Sequence, residues 1–487
     1  MENLCLQLDN VEISMSDKVI LNIPSLKLYQ FDRIGIVGKN GAGKSTLLKI
    51  LNGQIQPEKG QVKRFIDFAY FDQLNVPTNH EVEYELKGKL SIPNTEIGNF
   101  SGGELTRLKI AQLFSKYHEG LLLDEPTTHL DSEGVQFLIE KLTYYYGVLV
   151  LVSHDRYVLD QLVTKIWEVE NGVVTEYIGN YNDYITQKEL EKRQQMELHS
   201  KYIKERSRLL EAAEEKRKMA EKITRPSKKI SKKEAKAKAN RMFMTKSKDS
   251  GQKSMHRAAK AIEQRIVQLE KVDPPVAERK IRFYQTEALK LHNKFPIMAD
   301  RITVKVGSKT LLMDTSFQFP LGKTIAITGK NGSGKTTLLR YILQRGEGIT
   351  ISPKAVIGVY EQMSYHLTSN ETVLDYVKSQ SDFDEGFIRS VLHSMNFHGN
   401  DLKKSVCQLS GGESTRLVLC QLFLGRYNVL VLDEPTNFLD VFCIEALEQF
   451  LSAYEGTVLL VSHDQTFINK VADCIFRIED KKLVQKV

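Results

Sequence analysis

The sequence predicts an α/β protein in which two repeated nucleotide-binding lobes are joined by a long, basic helical pair. Three observations carry this prediction. The same five motifs occur twice in the same order. Each opening motif stands between an apolar, strand-like run and a run with helical periodicity. Between the two sets, residues 186–292 hold 30 Lys and Arg against 15 Asp and Glu.

The repeat is strict. GKNGAGKST (38–46), YFDQ (70–73), FSGGE (100–104), LLLDEPT (121–127) and VSHD (152–155) return as GKNGSGKTT (329–337), VYEQ (359–362), LSGGE (410–414), VLVLDEPT (429–436) and VSHD (461–464). From the serine of SGGE to the aspartate of DEPT is 23 residues in each half, and from the glutamate of DEPT to the histidine of VSHD is 29. Matched order and spacing mark a tandem duplication. The runs FDRIGIVG and KTIAITG end on glycine and lead into STLLKILNG and TTLLRYILQR. That is strand, glycine-rich loop and helix, the setting a phosphate-binding loop requires. VLVLVSH and VLLLVSH read as buried parallel strands. The fold class is therefore two tandem P-loop NTPase domains.

Composition sets the outer limits. At 487 residues, with 41% apolar and 26% charged residues, the chain can hold two or three full cores. No run approaches 18 apolar residues, so no membrane span is expected. The start, MENLCLQLDNVEIS, lacks the pattern of a secretory signal. Cys5, Cys407, Cys420, Cys443 and Cys474 stand singly, without metal-type spacing, and fit free thiols in a reducing, cytoplasmic setting.

The motifs specify their chemistry. Gly38, Gly41 and Gly43 let successive amides face one anion at a helix N-terminus. Lys44 reaches the outer phosphates and Ser45 is a Mg²⁺ ligand, with Asn40 and Thr46 completing the loop. Gly329, Asn331, Gly332, Gly334, Lys335, Thr336 and Thr337 repeat this, with Thr336 as the second metal-binding hydroxyl. Asp124 and Asp433 close apolar strands, where a carboxylate is costly unless a cation faces it. Glu125 and Glu434 are placed to activate water, and His154 and His463 to sense the γ-phosphate. Gln73 and Gln362 are further metal and water ligands. Ser101, Gly102 and Gly103, with Ser410, Gly411 and Gly412, open helical runs and offer a second anion site opposite the other lobe's P-loop. Each ATP would then be sandwiched between lobes of one monomer.

Together these motifs resemble the ATP-binding cassette (ABC) ATPases over both lobes. Two cassettes without membrane segments, joined by a charged helical linker, look like the ABC-F subfamily, whose members act on the ribosome. The string IRFYQTEALKLHNKFPI (281–297) looks like the Msr and Vga macrolide–streptogramin resistance group. The resemblance implies that Lys44 and Lys335 bind phosphate, Glu125 and Glu434 catalyse hydrolysis, and Ser101 and Ser410 contact ATP in trans. It implies ATP and Mg²⁺ as cofactors. The implied partner is the bacterial 70S ribosome, with its 23S rRNA and P-site tRNA, without DNA or membrane. There are departures. Thr128 and Phe438 replace the asparagine and histidine usual in TNHLD, and the adenine-stacking positions near Met15 and Val306 are not aromatic. Only 27 residues (74–100) separate Gln73 from Ser101, against 47 (363–409) in the second half. Housekeeping members usually carry a longer arm there. They and the DNA-linked members, which extend basically beyond the position of Lys486-Val487, are thus less similar than the resistance branch.

The domain boundaries read as 1–185 (first cassette, short arm about 74–100), 186–295 (linker, tip about 224–250) and 296–487 (second cassette). The linker excess of +15 in a chain of +7 leaves −8 elsewhere, so a polyanionic partner should meet the middle alone. Leu198, Tyr202, Leu209 and Ala213, then Ala258, Ile262, Ile266 and Leu269, recur at helical spacing and predict an antiparallel pair. Between them RPSKKISKKEAKAKANRMFMTKSK suits rRNA, and its tip, Arg241 followed by the apolar Met242-Phe243-Met244, suits a drug-binding cavity. The expected function is that of an ATP-hydrolysing ribosomal protection protein that binds the E site and uses its interdomain linker to displace peptidyl-transferase or exit-tunnel antibiotics of the macrolide, streptogramin or lincosamide type. The alternatives are a housekeeping translation factor and the ATPase subunit of a drug exporter.

Overall fold

The computed structural model describes residues 3–15, 18–72, 77, 82–90, 92–93, 97–224, 238–269, 271–272, 283, 289–361 and 367–486, with side chains of the helix Lys238–Gln268 from residue 253 on. The chain forms two compact units. One joins Met1–Tyr184 to Arg279–Val487, and the other is Ile185–Glu278.

The first unit contains both lobes, built on one plan. In lobe one a six-stranded sheet runs in the order Phe68–Phe71, Gly120–Asp124, Val148–Val152, Arg33–Gly38, Lys165–Glu170, Val173–Ile178. The first five strands are parallel and the last antiparallel. Lobe two repeats it as Ile357–Tyr360, Val429–Asp433, Thr457–Val461, Thr324–Thr328, Cys474–Glu479, Lys482–Lys486. The unbroken apolar runs are explained by burial on both faces. Every residue of Val148–Val152, Gly120–Asp124 and their counterparts is buried. Beside each large sheet lies a three-stranded antiparallel one, centred on Leu4–Met15 or Ile297–Val306. Leu6, Leu8 and Ile23 from it close one core over Ile34, Ile36, Trp167 and the P-loop helix residues Leu47, Leu48 and Leu51. The parallel strands thus deliver all their carboxyl ends to one edge, where open α/β sheets bind ligands.

The lobes differ in the interval after the Q-motif strand. Lobe two packs helices Val373–Lys378 and Glu385–Ser394 there, while lobe one has the short helix Tyr84–Lys89. Phe283, in the stretch that the sequence assigns to the linker, is 2% exposed inside lobe two's helical core.

The second unit is a helical pair. Tyr181–Thr224 is a single helix of 44 residues, about 66 Å at 1.5 Å per residue, and Lys238–Gln268 is the second. They run antiparallel: His199 Nδ1 lies 2.9 Å from the Val272 carbonyl, and Arg217 pairs with Glu263 at 2.6 Å. Ala213, Ala220 and Ala259 are buried in the seam. The seam corrects the expected apolar set. It follows His199, Tyr202, Leu209, Ala213, Lys216 and Ala220 at steps of three, seven, four, three and four residues, whereas Leu198 is one position off and 55% exposed. The expected tip is also partly helical, since the backbone at 241–244 lies within the second helix; the side chains of Arg241, Met242, Phe243 and Met244 lie outside the described residues.

The two lobes meet through a buried charge cluster. Arg156, which opens the helix Arg156–Leu162 after the first VSHD motif, donates to Glu448 on Val441–Ala453, and Lys470 Nζ reaches the other Glu448 oxygen at 2.6 Å. Arg156 and Glu448 are almost fully buried, while the Lys470 side chain is 59% exposed. Removing one partner of a buried pair leaves an unpaired charge, which costs about 3–5 kcal/mol. Glu448→Ala should therefore destabilise the lobes by about that amount, and Lys470→Ala by about 0–1 kcal/mol, as for exposed pairs. Chemical denaturation would show this, and equal losses would contradict it.

Candidate nucleotide site between the lobes

The carboxyl ends of the parallel strands open onto one cavity of about 1210 Å³. It is lined by Asn40, Gly41, Gly43, Lys44, Ser45 and Thr46 of the first P-loop and by Asn331, Gly332, Gly334, Lys335, Thr336 and Thr337 of the second. Asp124, Glu125, His154, Glu434 and His463 face it too. Of the signature serines and glycines, Ser101, Gly102 and Gly103 line it, but only Gly412 of the second set; Ser410 and Gly411 do not, nor do Gly38, Gly329 and Asp433. Gln73 and Gln362 lie outside the described residues.

Each loop is shaped by its glycines. Gly41 and Gly332 have φ of 78° and 71° with open space where a Cβ would stand, so a side chain there would meet strain and would project into the seat. A Cβ on Gly38 would stand 2.4 Å from the Val169 carbonyl oxygen. The lysines hold the loops from within: Lys44 Nζ donates to the Gly38 and Lys39 carbonyls at 2.8 and 3.1 Å, and Lys335 to those of Gly329 and Lys330 at 2.9 and 3.2 Å. Burial lowers both lysine pKa values, and Glu125 and Glu434 oppose the shift.

The acidic side is equally buried. Burial raises Glu125 to about 8 and Glu434 to about 7, against the pull of Lys44 and Lys335. Each accepts the amide of its histidine at 3.2 Å (His154, His463), and the imidazole Nε2 lies 3.3 Å from the other carboxylate oxygen. Burial beside the lysines lowers His154 to about 3 and His463 to about 4, so both rings are neutral at physiological pH. Glu125 and Glu434 sit at φ of 50° and 52°, a left-handed backbone that non-glycine residues adopt at a cost. The amides of both are fixed by the neighbouring strand, to Val152 and Val461 carbonyls at 2.9 and 2.8 Å.

Asp124 and Asp433 also have raised pKa values from burial, offset by hydrogen bonds from Ser45 and Thr336. Asp433 Oδ1 is buried without a hydrogen-bond partner. A hydroxyl and a buried carboxylate beside a phosphate loop are hard oxygen donors, and the orphaned oxygen fits a small divalent cation. These residues fit Mg²⁺.

Two sets of residues escaped the sequence reading. The glutamate of each SGGE motif closes a capping box: Ser101 N donates to Glu104 Oε2 at 2.7 Å and Ser410 N to Glu413 Oε2 at 2.8 Å, while the serine oxygens accept Glu104 N and Glu413 N. The S-x-x-E spacing before a helix carries that signal. The second set is Asp131 and Asp440, each shared between the lobes. Asp440 Oδ1 caps its own helix through Cys443 N, and Oδ2 accepts the Asn40 amide of the opposite P-loop at 2.8 Å. Asp131 does the same with Gly134 N and the Asn331 amide at 3.4 Å. Asn40 Nδ2 also donates to the Phe438 carbonyl at 3.0 Å, and the Phe438 ring meets His129 edge-on at 6.3 Å. A Cβ on Gly103 would stand 3.6 Å from Asn331 Nδ2, which places the first signature beside the second P-loop. Met15 and Val306 are 64% and 55% exposed, and Met15 lines the cavity.

The family described as ABC transporter matches residues 21–84 and 312–437. The chain is 39% identical to the erythromycin resistance ATP-binding protein MsrA of Staphylococcus epidermidis, over 97% of both chains. It is 33% identical to the ribosome protection protein VmlR of Bacillus subtilis, over 96% of this chain and 85% of that one. Among solved structures, archaeal ribosome recycling factor aABCE1, in complex with the ribosomal stalk protein aP1, shares the fold at a TM-score of 0.65 and 20% identity, over 96% of this chain and 87% of that one. The structure titled RNase-L inhibitor shares it at a TM-score of 0.63 and 20% identity, over 98% and 88%. With two cassettes of this plan and relatives so similar along the whole chain, the protein is an ATPase of the ABC-F subfamily and belongs to its antibiotic-resistance branch, with the Msr and Vga group.

Proposed function

We propose that this ATPase protects the bacterial ribosome from antibiotics. The observation that carries the proposal is the end-to-end similarity to an erythromycin resistance protein and a ribosome protection protein. Two features of the chain support it: the inter-lobe nucleotide cavity, and the basic helical pair with its local charge of +15. With ATP bound, the lobes close, the protein enters the ribosomal E site beside P-site tRNA, and the linker reaches toward the peptidyl transferase centre of 23S rRNA. There Arg241, Met242, Phe243 and Met244 dislodge the drug, directly or through rRNA. Hydrolysis then releases the protein.

In this reading Lys44 and Lys335, with the loop amides, bind the phosphates, and the signature helix of the opposite lobe completes each seat. Ser45 with Asp124, and Thr336 with Asp433, would hold Mg²⁺, joined by Gln73 and Gln362. The ion neutralises phosphate charge when bound. Glu125 and Glu434 take a proton from water, and the neutral His154 and His463 orient them.

Cell-free bacterial translation, poisoned in turn with a macrolide, a lincosamide, a pleuromutilin and each streptogramin class, should recover in some reactions when the protein and ATP are added. No recovery with ribosome binding intact would favour a housekeeping factor instead. Phe243→Ala should reduce the recovery while leaving ribosome binding in place.

Glu125→Gln with Glu434→Gln should slow hydrolysis by about 10²–10⁴-fold, the usual contribution of a general base, and trap the protein on ribosomes with ATP. Failure to co-sediment would sink the ribosomal reading.

The raised carboxyls also set a pH dependence of stability. A group whose folded pKa exceeds its unfolded value stabilises the fold fully below the unfolded value and loses that contribution as pH rises through the folded one. For Glu125 and Glu434 the window runs from about 4.5 to about 8. The nucleotide-free protein should lose melting temperature across that window more steeply than the double glutamine variant, whose amides do not titrate. Parallel melting curves would contradict the raised values.

A further inference from the structure

The repeat exposes a second surface, away from the nucleotide. From the SGGE motif onward the repeat runs at a constant offset of 309 residues, so each position there in lobe one has a counterpart in lobe two. In lobe two Phe283 makes an isolated parallel bridge to Tyr454, its amide donating to the Ala453 carbonyl at 3.4 Å. Its ring packs on Phe423 and Phe450, both at 5.4 Å between centroids. The offset puts Phe114, Lys141 and Tyr145 in the places of Phe423, Phe450 and Tyr454. The local frame is retained, since Tyr145 OH donates to the His118 carbonyl at 2.7 Å as Tyr454 OH does to that of Tyr427 at 3.0 Å.

Lobe one nevertheless has no counterpart of Phe283 among the described residues. A cavity of about 560 Å³ lies there, bounded by Phe114, Phe137, Lys141 and Tyr145. Its rim is aromatic and open: Tyr117 and Tyr144 are 70% and 74% exposed, where lobe two has Arg426, paired with Asp382, and Ala453. The lining is also cationic. Lys89, Lys116 and Lys141 line it with Glu140, Lys89 being paired with Glu85 at 2.6 Å, and Lys141 Nζ lies 5.7 Å from the Phe137 ring centroid. The cation stands where lobe two offers Phe283 a phenyl ring, so the cavity fits an aromatic ring with negative charge beside it.

We infer that this face of lobe one is a docking surface for a protein partner, which seats one aromatic side chain of an extended acidic segment in the cavity as lobe two seats its own Phe283. The extended form follows from the bridge that Phe283 makes, and the acidic flanks from Lys116 and Lys141.

The test uses the full-length protein and a fluorescein-labelled decapeptide with a central Phe flanked by Asp and Glu, read by anisotropy. Replacing that Phe with Ala, or the acids with Lys, should each weaken binding about tenfold, the scale of one buried aromatic contact or lost charge complementarity. Lys141→Glu should abolish binding, with ATPase turnover and melting temperature unchanged. Lys141→Phe, which installs the lobe-two residue, should keep the dependence on the peptide's Phe and weaken the preference for acidic flanks. The inference is overturned if the Ala peptide binds equally, if no peptide binds, or if labelled hexauridylate binds more tightly than the acidic peptide. That last result would assign the face to RNA.

Discussion

The lobes depend on one constraint: two carboxylates, Asp131 and Asp440, each serve two lobes at once. One oxygen of each caps a helix of its own lobe, and the other accepts a P-loop amide of the opposite lobe. A P-loop amide spent this way is an amide that also faces the phosphate seat. The same carboxylates bear on the buried cations and rings around them. Asp440 acts on Lys44 and His154, and Asp131 on Lys335 and His463. The shape of each nucleotide seat and the contact between lobes are therefore set by shared atoms. A polyanion entering the cavity would therefore act on both together.

Duplication made the halves alike, but not equal. The Arg156–Glu448–Lys470 cluster has no mirror image, because the repeat puts Gln465, Ile139 and Gln161 in the corresponding places. The Asp440 bond to Asn40 is shorter than the Asp131 bond to Asn331, and only Asn40 gains a second bond across the junction, to Phe438. Three signature residues of lobe one line the cavity against one of lobe two. The two seats thus present different surroundings to the same ligand. A buried ion pair such as Arg156–Glu448 adds little net stability over apolar packing but strongly penalises misalignment. Its position between the helix that follows the first VSHD motif and the helix that Asp440 caps suits it to hold the lobes in one register.

Much of this was legible in the sequence because phosphate chemistry demands fixed residues at fixed spacing. Gly41, Lys44 and Ser45 announce a seat wherever they follow a strand, and the 23- and 29-residue spacings identified the second copy. What escaped was set by tertiary packing. Nothing local marks Asp131 or Asp440 as bridging residues, since half of each carboxylate's task lies about 200 or 400 residues away in the chain. Phe283 read as linker because the helical core that buries it is assembled from residues beyond 360. Leu198 read as seam because a three- or four-residue step fits several apolar sets, and only the facing segment, through Glu263 of the second helix and Val272 beyond its end, selects among them.

The helical pair begins inside the nucleotide-binding lobes rather than after them. Tyr181 and Tyr184, in the first turn of the long helix, are buried, and Tyr184 OH donates to Glu168 Oε1 at 2.7 Å. Glu168 pairs in register with Val37, the residue before the first glycine of the P-loop. A Cβ on that glycine, Gly38, would already collide with the carbonyl of Val169. Strand, carboxylate and helix root are thus joined by a hydrogen bond and a sheet register. Burial raises the pKa of the Tyr184 hydroxyl, which keeps it a donor at any physiological pH. A displacement of the P-loop strand must therefore either break the Tyr184 bond or move the root of the helix. The apolar packing of Tyr184 against Tyr177 and Tyr181 opposes the first outcome.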